Sequence, residues 1–179
     1  MTTLPDSTTL SAGLLAARLV FGIMMMGHGA QKLLGWFGGH GLNGSAGFFE
    51  SLGFRPGRVF VATAALTELT SGLLVALGLL GPVGPALMLP VMIVAAVTVH
   101  WKNGVFAASN GIEVPLLYSA AAVTLALTGP GLISLDALLG LQSLWTPEVK
   151  WAVIAAGVVG GILNLGLRRP ALRAAAAAR

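Results

Sequence analysis

The sequence predicts an all-α membrane protein with five transmembrane helices. Hydrophobic residues make up 56% of the 179 residues and charged residues only 9%, whereas soluble domains carry roughly 25% charged residues. The apolar residues gather in five segments close to spanning length. Basic residues stand at the ends of those segments, as they do in membrane proteins. We therefore expect one integral membrane domain over residues 1–179.

Each apolar segment is interpreted as one helix, because a strand edge exposed to lipid would leave its backbone groups without partners. The five segments are residues 10–34, 58–80, 83–101, 112–128 and 151–167. Residues 168–179 are alanine-rich and basic, which predicts a cytoplasmic tail.

The connections predict shorter elements. Residues 36–54 are glycine-rich and aromatic and suit a short helix at the membrane interface. Gly81 and Pro82 predict a tight turn between the second and third helices. Residues 132–145 form a second amphipathic stretch. The first ten residues lack a basic region and a small-residue cleavage site, so we expect the first segment to be retained as an anchor.

The placement of lysine and arginine predicts the orientation of the chain. With five spans, the loops after the first and third segments share one side of the membrane with the C-terminus. That side carries most of the basic residues, namely Lys32, Arg55, Arg58, Lys102, Arg168, Arg169, Arg173 and Arg179. Lys150 alone lies on the opposite side. The positive-inside rule then places the C-terminus in the cytoplasm of a cell-membrane protein and the N-terminus outside.

Composition also excludes several kinds of partner and chemistry. The net charge is +4, but its distribution at segment ends fits membrane orientation and argues against nucleic acid as a partner. The chain contains no cysteine, which excludes disulfides, iron–sulfur clusters and thiolate metal sites. No metal-binding or nucleotide-binding motif is present, so we expect neither a metal nor a covalently bound cofactor.

Two charged residues lie near the middle of apolar segments: Arg18 in the first and Glu68 in the second. A charge inside a membrane costs about 2.5–3.5 kcal/mol on insertion scales, so each needs a partner. Comparable depth in two antiparallel helices predicts an Arg18–Glu68 ion pair. Such a pair could be a clamp that fixes helix register, or it could anchor a ligand or exchange protons.

A second polar cluster is predicted at the cytoplasmic ends of the helices, where His28 and Lys32 end the first segment and His100 ends the third. Glu113 opens the fourth, and Lys32 or His100 is its expected cationic partner. Lys32 also suits simple interfacial anchoring. His28 and His100 could both ligate a haem iron, but nothing in their spacing shows a porphyrin slot, so the sequence disfavours haem.

The string from Gly129 to Asp136 is the most distinctive local motif. Gly129, Pro130 and Gly131 stop a helix, and Ser134 or Asp136 could cap the next one. We interpret this string as a structural corner, with Asp136 also available to a ligand or partner protein.

These features together resemble the DoxX family of small membrane proteins. The first half of the resemblance is carried by Arg18 with Gly22, Gly29 to Leu33, Phe49 with Gly53, and Glu68 with Gly72 and Gly78. The second half is carried by Gly111 to Glu113 and by the Gly129–Asp136 string. The resemblance implies a four-helix transmembrane bundle over about residues 10–140, with an additional fifth C-terminal transmembrane helix over about residues 151–167.

The resemblance implies a link to membrane redox systems, because the family takes its name from a subunit associated with a terminal quinol oxidase. We therefore expect a subunit or accessory component of a membrane oxidoreductase system that engages a quinone, with partner proteins or further copies of the chain. The candidate ligand-binding residues are Arg18, His28, Lys32, Glu68, His100 and Glu113. A non-enzymatic scaffold and a small organic-anion transporter are the alternatives. The sequence argues against a self-sufficient redox enzyme.

Overall fold

A computed structural model describes residues 7–169 and shows a bundle of α-helices joined by short helical turns. The α-helices are α1 Ser7–Leu33, α2 Gly41–Ser51, α3 Gly57–Leu77, α4 Val83–Ala95, α5 Glu113–Thr128, α6 Leu135–Leu138 and α7 Pro147–Gly166. The five apolar segments correspond to α1, α3, α4, α5 and α7. Residues 1–6 and residues 170–179 of the predicted tail 168–179 lie outside the described residues.

Four stretches of helix are long and apolar enough to cross a membrane, namely Ser7–Leu33, Gly57–Leu77, Val83–Asn103 and Pro147–Gly166. Helix α5 is also apolar but has only 16 residues, about 24 Å of helix against a hydrocarbon core of about 30 Å. The predicted all-helical, multi-pass class is therefore confirmed. Many large apolar side chains point outward, such as Val20 at 60% and Leu163 at 66% exposure, as expected of a surface that faces lipid.

Helices α1 and α3 pack closely because glycines line their contact. A Cβ atom on Gly22 would lie 2.7 Å from the carbonyl oxygen of Gly72, and one on Gly29 would lie 2.8 Å from that of Ala65. Small residues allow helix backbones to approach this closely in membranes. These two contacts fix the register of the antiparallel pair and therefore decide which side chains meet.

Helix α4 lies at the centre of the bundle and packs against α3, α5 and α7. Its Met88 and Leu89 are buried with Met25 of α1 and Tyr118 of α5 in the main hydrophobic core. Pro90 stands inside α4. The helix then widens into a π-helical turn, Ala96–His100, before a 3₁₀ turn at Trp101–Asn103. Widened turns of this kind occur frequently at functional sites, and this one ends at His100.

Two further predicted elements correspond to short helices. Helix α2 lies within the 36–54 loop and packs on α3. Residues 132–145 contain α6 and a 3₁₀ turn, Leu141–Leu144. The hydroxyl of Ser134 caps α6 by accepting a hydrogen bond from the backbone N–H of Ala137, which is one of the two capping roles considered for this motif.

Candidate functional site

A buried ion pair joins α1 to α3. The ammonium of Lys32 donates to both carboxylate oxygens of Glu68, at 2.7 and 2.8 Å. The Glu68 side chain is 2% exposed and that of Lys32 is 26% exposed. The carboxylate is thus inside the protein, while the lysine reaches it from nearer the surface. Such a bidentate arrangement satisfies a carboxylate that would otherwise be costly to bury.

Two aromatic rings adjoin this pair. The ring of His28 lies one helical turn before Lys32, and its Nδ1 is 3.3 Å from the side-chain oxygen of Gln31. The ring of Tyr118, on α5, meets that of His28 edge-on with centroids 6.0 Å apart. Phe21 also meets the Tyr118 ring edge-on, with centroids 5.5 Å apart. These contacts hold the Tyr118 ring in one orientation beside the ion pair.

The ion pair faces a cavity of about 300 Å³. Its walls are mostly apolar and aromatic, and its polar side chains come from α1, α3, α5, α7 and the end of α4. The lining includes His28, Lys32, Phe48, Phe49, Leu52, Phe54, Phe60, Thr63, Thr67, Glu68, Pro90, Val91, Thr98, His100, Tyr118 and Asn164. A concave, apolar site with a few convergent polar groups is the usual form of a small-molecule site.

The other predicted members of the cytoplasmic cluster divide between the cavity and its surroundings. His100 lines the cavity, and its Nδ1 lies 2.8 Å from the backbone oxygen of Asn110. Glu113 does not line it. The Glu113 carboxylate accepts a hydrogen bond from the backbone N–H of Ala107 at 2.7 Å and forms no ion pair with Lys32 or His100, so that expected pairing is wrong.

The predicted Arg18–Glu68 ion pair is also wrong. Arg18 lies fourteen residues before Lys32 on α1, about 21 Å away along the helix axis. The glycine-set register places Arg18 against Gly78 at the end of α3. Its guanidinium donates to the backbone oxygen of Ile133. The Nε and Nη1 atoms have no hydrogen-bond partner among residues 7–169.

The Gly129–Asp136 motif forms a corner at this same end, remote from the ion pair. The Asp136 carboxylate is fully buried and accepts hydrogen bonds from the backbone N–H groups of Leu80 and Gly81 and from the indole of Trp145, at 2.7–2.8 Å. Gly78 adopts a left-handed conformation, with φ of 63°, and a Cβ there would collide with Arg18. The corner therefore ties the α3–α4 turn to the 129–145 region.

Tyr118 and Asn164 are among the cavity residues that were absent from the sequence-based candidates. Tyr118 is the only tyrosine in the chain and interrupts an apolar segment. Asn164 is an amide within the last apolar segment. Polar side chains inside membrane segments commonly mark functional positions, and that signal could have identified both residues. Within the described part of the chain, no three histidine or acidic side chains are grouped as a metal site would require.

Fold and site together define a multi-pass helical membrane protein with a cavity of small-molecule size beside a buried ion pair. The family model for DoxX matches residues 13–101, which contain most of α1, all of α2 to α4, and both Lys32 and Glu68. The chain belongs to the DoxX family. No curated protein and no solved structure matches it. The matched region ends before α5, so Tyr118, Asn164 and the 129–136 corner lie outside it.

Proposed function

We propose that this protein binds a quinone, or a similar lipid-soluble molecule with a ring carbonyl, as a subunit or accessory component of a membrane oxidoreductase system. The observation that carries the proposal is the Lys32–Glu68 pair at the wall of an otherwise apolar cavity. A quinone combines a polar ring edge with an apolar tail, and the cavity offers matching surfaces for both.

The polar wall provides groups that suit a carbonyl oxygen. The Tyr118 hydroxyl lines the cavity and has no hydrogen-bond partner among the described residues, so it is free to donate to a ligand. Lys32 carries a positive charge that attracts electron density on that oxygen. Glu68 is positioned to exchange protons as a quinone gains two electrons and two protons. The electrons would come from a partner protein.

The apolar wall suits a ring and tail. Phe49, Phe54 and Phe60 form a run of aromatic contacts in which neighbouring centroids lie 5.2–6.2 Å apart. Such rings pack well against a flat conjugated ligand.

In the membrane we propose five spans, with the N-terminus outside and the C-terminus in the cytoplasm of the cell. Lys32, Lys102 and Arg168 stand at the cytoplasmic ends of their helices in this arrangement, as the positive-inside rule requires. Helix α5 would cross with local thinning of the bilayer or with flanking residues at the interface. The cavity then opens in the cytoplasmic half of the bilayer.

The geometry gives less support to an organic-anion transporter. That alternative relied on Arg18 and Lys32 acting together, but Arg18 lies at the opposite end of α1 and the Lys32 charge is balanced by Glu68. A scaffold remains distinguishable by experiment, because it requires the ion pair for assembly and no ligand in the cavity.

The test is equilibrium binding of decylubiquinone to the purified protein in lipid nanodiscs. Glu68→Gln and Tyr118→Phe each remove one polar function from the cavity wall, and we expect each to weaken binding roughly three- to tenfold, as for one hydrogen bond. Lys102→Met and Ser119→Ala are the matched controls, because neither residue lines the cavity. Unchanged affinity in both cavity variants, or no binding by the wild type, would refute the proposal.

A further inference from the structure

Helix α7 lies against α4 through small residues. A Cβ on Gly161 would lie 2.9 Å from the Ile93 side chain, and one on Gly157 would overlap the backbone oxygen of Ala86. This close approach brings the last turns of α7 to the cavity, although α7 lies beyond the residues that the family model matches. The cavity lining therefore includes Asn164 from a helix outside the matched region.

The end of α7 is attached to the loop before α3. Arg168 Nε donates to the backbone oxygen of Leu52 at 2.9 Å. The backbone N–H of Arg169 donates to the backbone oxygen of Gly53 at 2.8 Å. The Arg168 guanidinium also lies over the Phe54 ring, 6.0 Å from its centroid. We call these contacts the C-terminal clasp. Leu52 and Phe54 line the cavity, so the clasp joins the end of α7 to this part of the lining.

Asn164 lies one turn before the clasp and is the polar side chain that α7 contributes to the cavity lining. Its carboxamide has no hydrogen-bond partner within residues 7–169. The side chain is half-buried, so its amide is open to a molecule in the cavity. A ligand oxygen in the cavity would supply that partner.

We infer that Asn164 is a specificity-determining residue of the cavity, which hydrogen-bonds an oxygen of the bound ring and is held in position by the C-terminal clasp. This inference rests on the proposed quinone-type ligand. The amide adds a second polar contact beside the Lys32–Glu68 wall. It therefore distinguishes between rings that carry oxygen substituents at different positions.

The first experiment compares the affinities of decylubiquinone, whose ring carries methoxy groups, and menaquinone-4, whose ring does not. Asn164→Leu should change the ratio of the two dissociation constants roughly three- to tenfold, the range for one hydrogen bond, without changing the unfolding temperature. Leu163→Ala, an exposed position on the same helix, is the control. An unchanged ratio in Asn164→Leu would overturn the specificity role.

The second experiment tests the clasp without any ligand. Because the chain contains no cysteine, Ala64→Cys places a single thiol at the cavity wall, where N-ethylmaleimide labelling reports access. Arg168→Ala should increase the labelling rate severalfold, whereas Arg58→Ala, at the same end of the protein, should not. Equal labelling rates in the wild type and Arg168→Ala would overturn the role of the clasp.

If neither quinone binds the wild-type protein, the proposed function and the role of Asn164 fail together, while the labelling rates still decide whether the clasp closes the cavity wall.

Discussion

The ammonium of Lys32 bridges both carboxylate oxygens of Glu68, at 2.7 and 2.8 Å, where α1 and α3 meet beside the cavity. The carboxylate is almost completely buried and the lysine is partly exposed. The pair therefore has two roles: it holds α1 against α3, and it provides charged groups at the cavity wall. Substitutions at these positions should separate the two roles.

Lys32→Met should lower the free energy of unfolding by about 3 kcal/mol, because it leaves a buried carboxylate without its cation. The double substitution Lys32→Met with Glu68→Leu should recover most of that loss, since no buried charge remains. Unfolding in detergent with increasing denaturant measures the free energy of unfolding of the single and the double variant. Lys102→Met is the control at the same end of the protein. Equal losses in the single and double variants would show that the pair contributes through packing alone.

Gly72→Leu should destabilise the protein by at least about 1–3 kcal/mol, because the added side chain would push α3 away from α1. Even a Cβ at this position would lie 2.7 Å from the Met26 side chain. Gly27→Leu is the matched control on α1, since a Cβ there meets nothing within 4 Å. Thermal unfolding of the two variants provides the comparison, and similar melting temperatures would contradict the close α1–α3 contact.

Asp136→Ala should lower the free energy of unfolding by about 3 kcal/mol or more, because three donors lose their acceptor in a buried corner. Trp145→Phe removes only one of those donors and should cost about 1 kcal/mol of hydrogen bonding. Glu148→Gln serves as a control outside the corner. We expect the control to have the highest melting temperature, Trp145→Phe a lower one, and Asp136→Ala the lowest. If Asp136→Ala melted with the control, the corner would not stabilise the fold.

The proposed orientation can be tested with single cysteines in the naturally cysteine-free chain. Gly140→Cys should react with a membrane-impermeant maleimide added to intact cells, because the 129–145 region lies outside in the five-span arrangement. Lys102→Cys should react only after the membrane is permeabilised. The reverse pattern would invert the topology, and external labelling of both would require an even number of spans between the two positions.

The helices could be predicted from the sequence because hydropathy and length alone decide whether a segment can cross lipid. The partner of Glu68 could not be predicted from the sequence. It depends on the register of α1 against α3, which is fixed by contacts of Gly22 and Gly29 with α3 and not by position within each segment. Arg18 and Glu68 each lie near the middle of their own helix, but α1 has 27 residues and α3 only 21, and the middles of the two helices do not coincide in this register.

The candidate site could be predicted in part for a related reason. His28, Lys32, Glu68 and His100 stood out as ionisable groups near helix ends or within spans, and the structure places all four at one cavity. Tyr118 and Asn164 reach the same cavity only through the packing of α5 and α7 around α4. That packing depends on surface shape, which no single segment of sequence specifies.

The most direct measurement of the central claim is an experimental density map of the protein in nanodiscs containing decylubiquinone. The account predicts a ring in the cavity, with one carbonyl oxygen within hydrogen-bonding distance of Tyr118 or Lys32 and the tail leading towards lipid. A cavity that is empty or filled only by lipid chains, with quinone bound elsewhere or not at all, would contradict it.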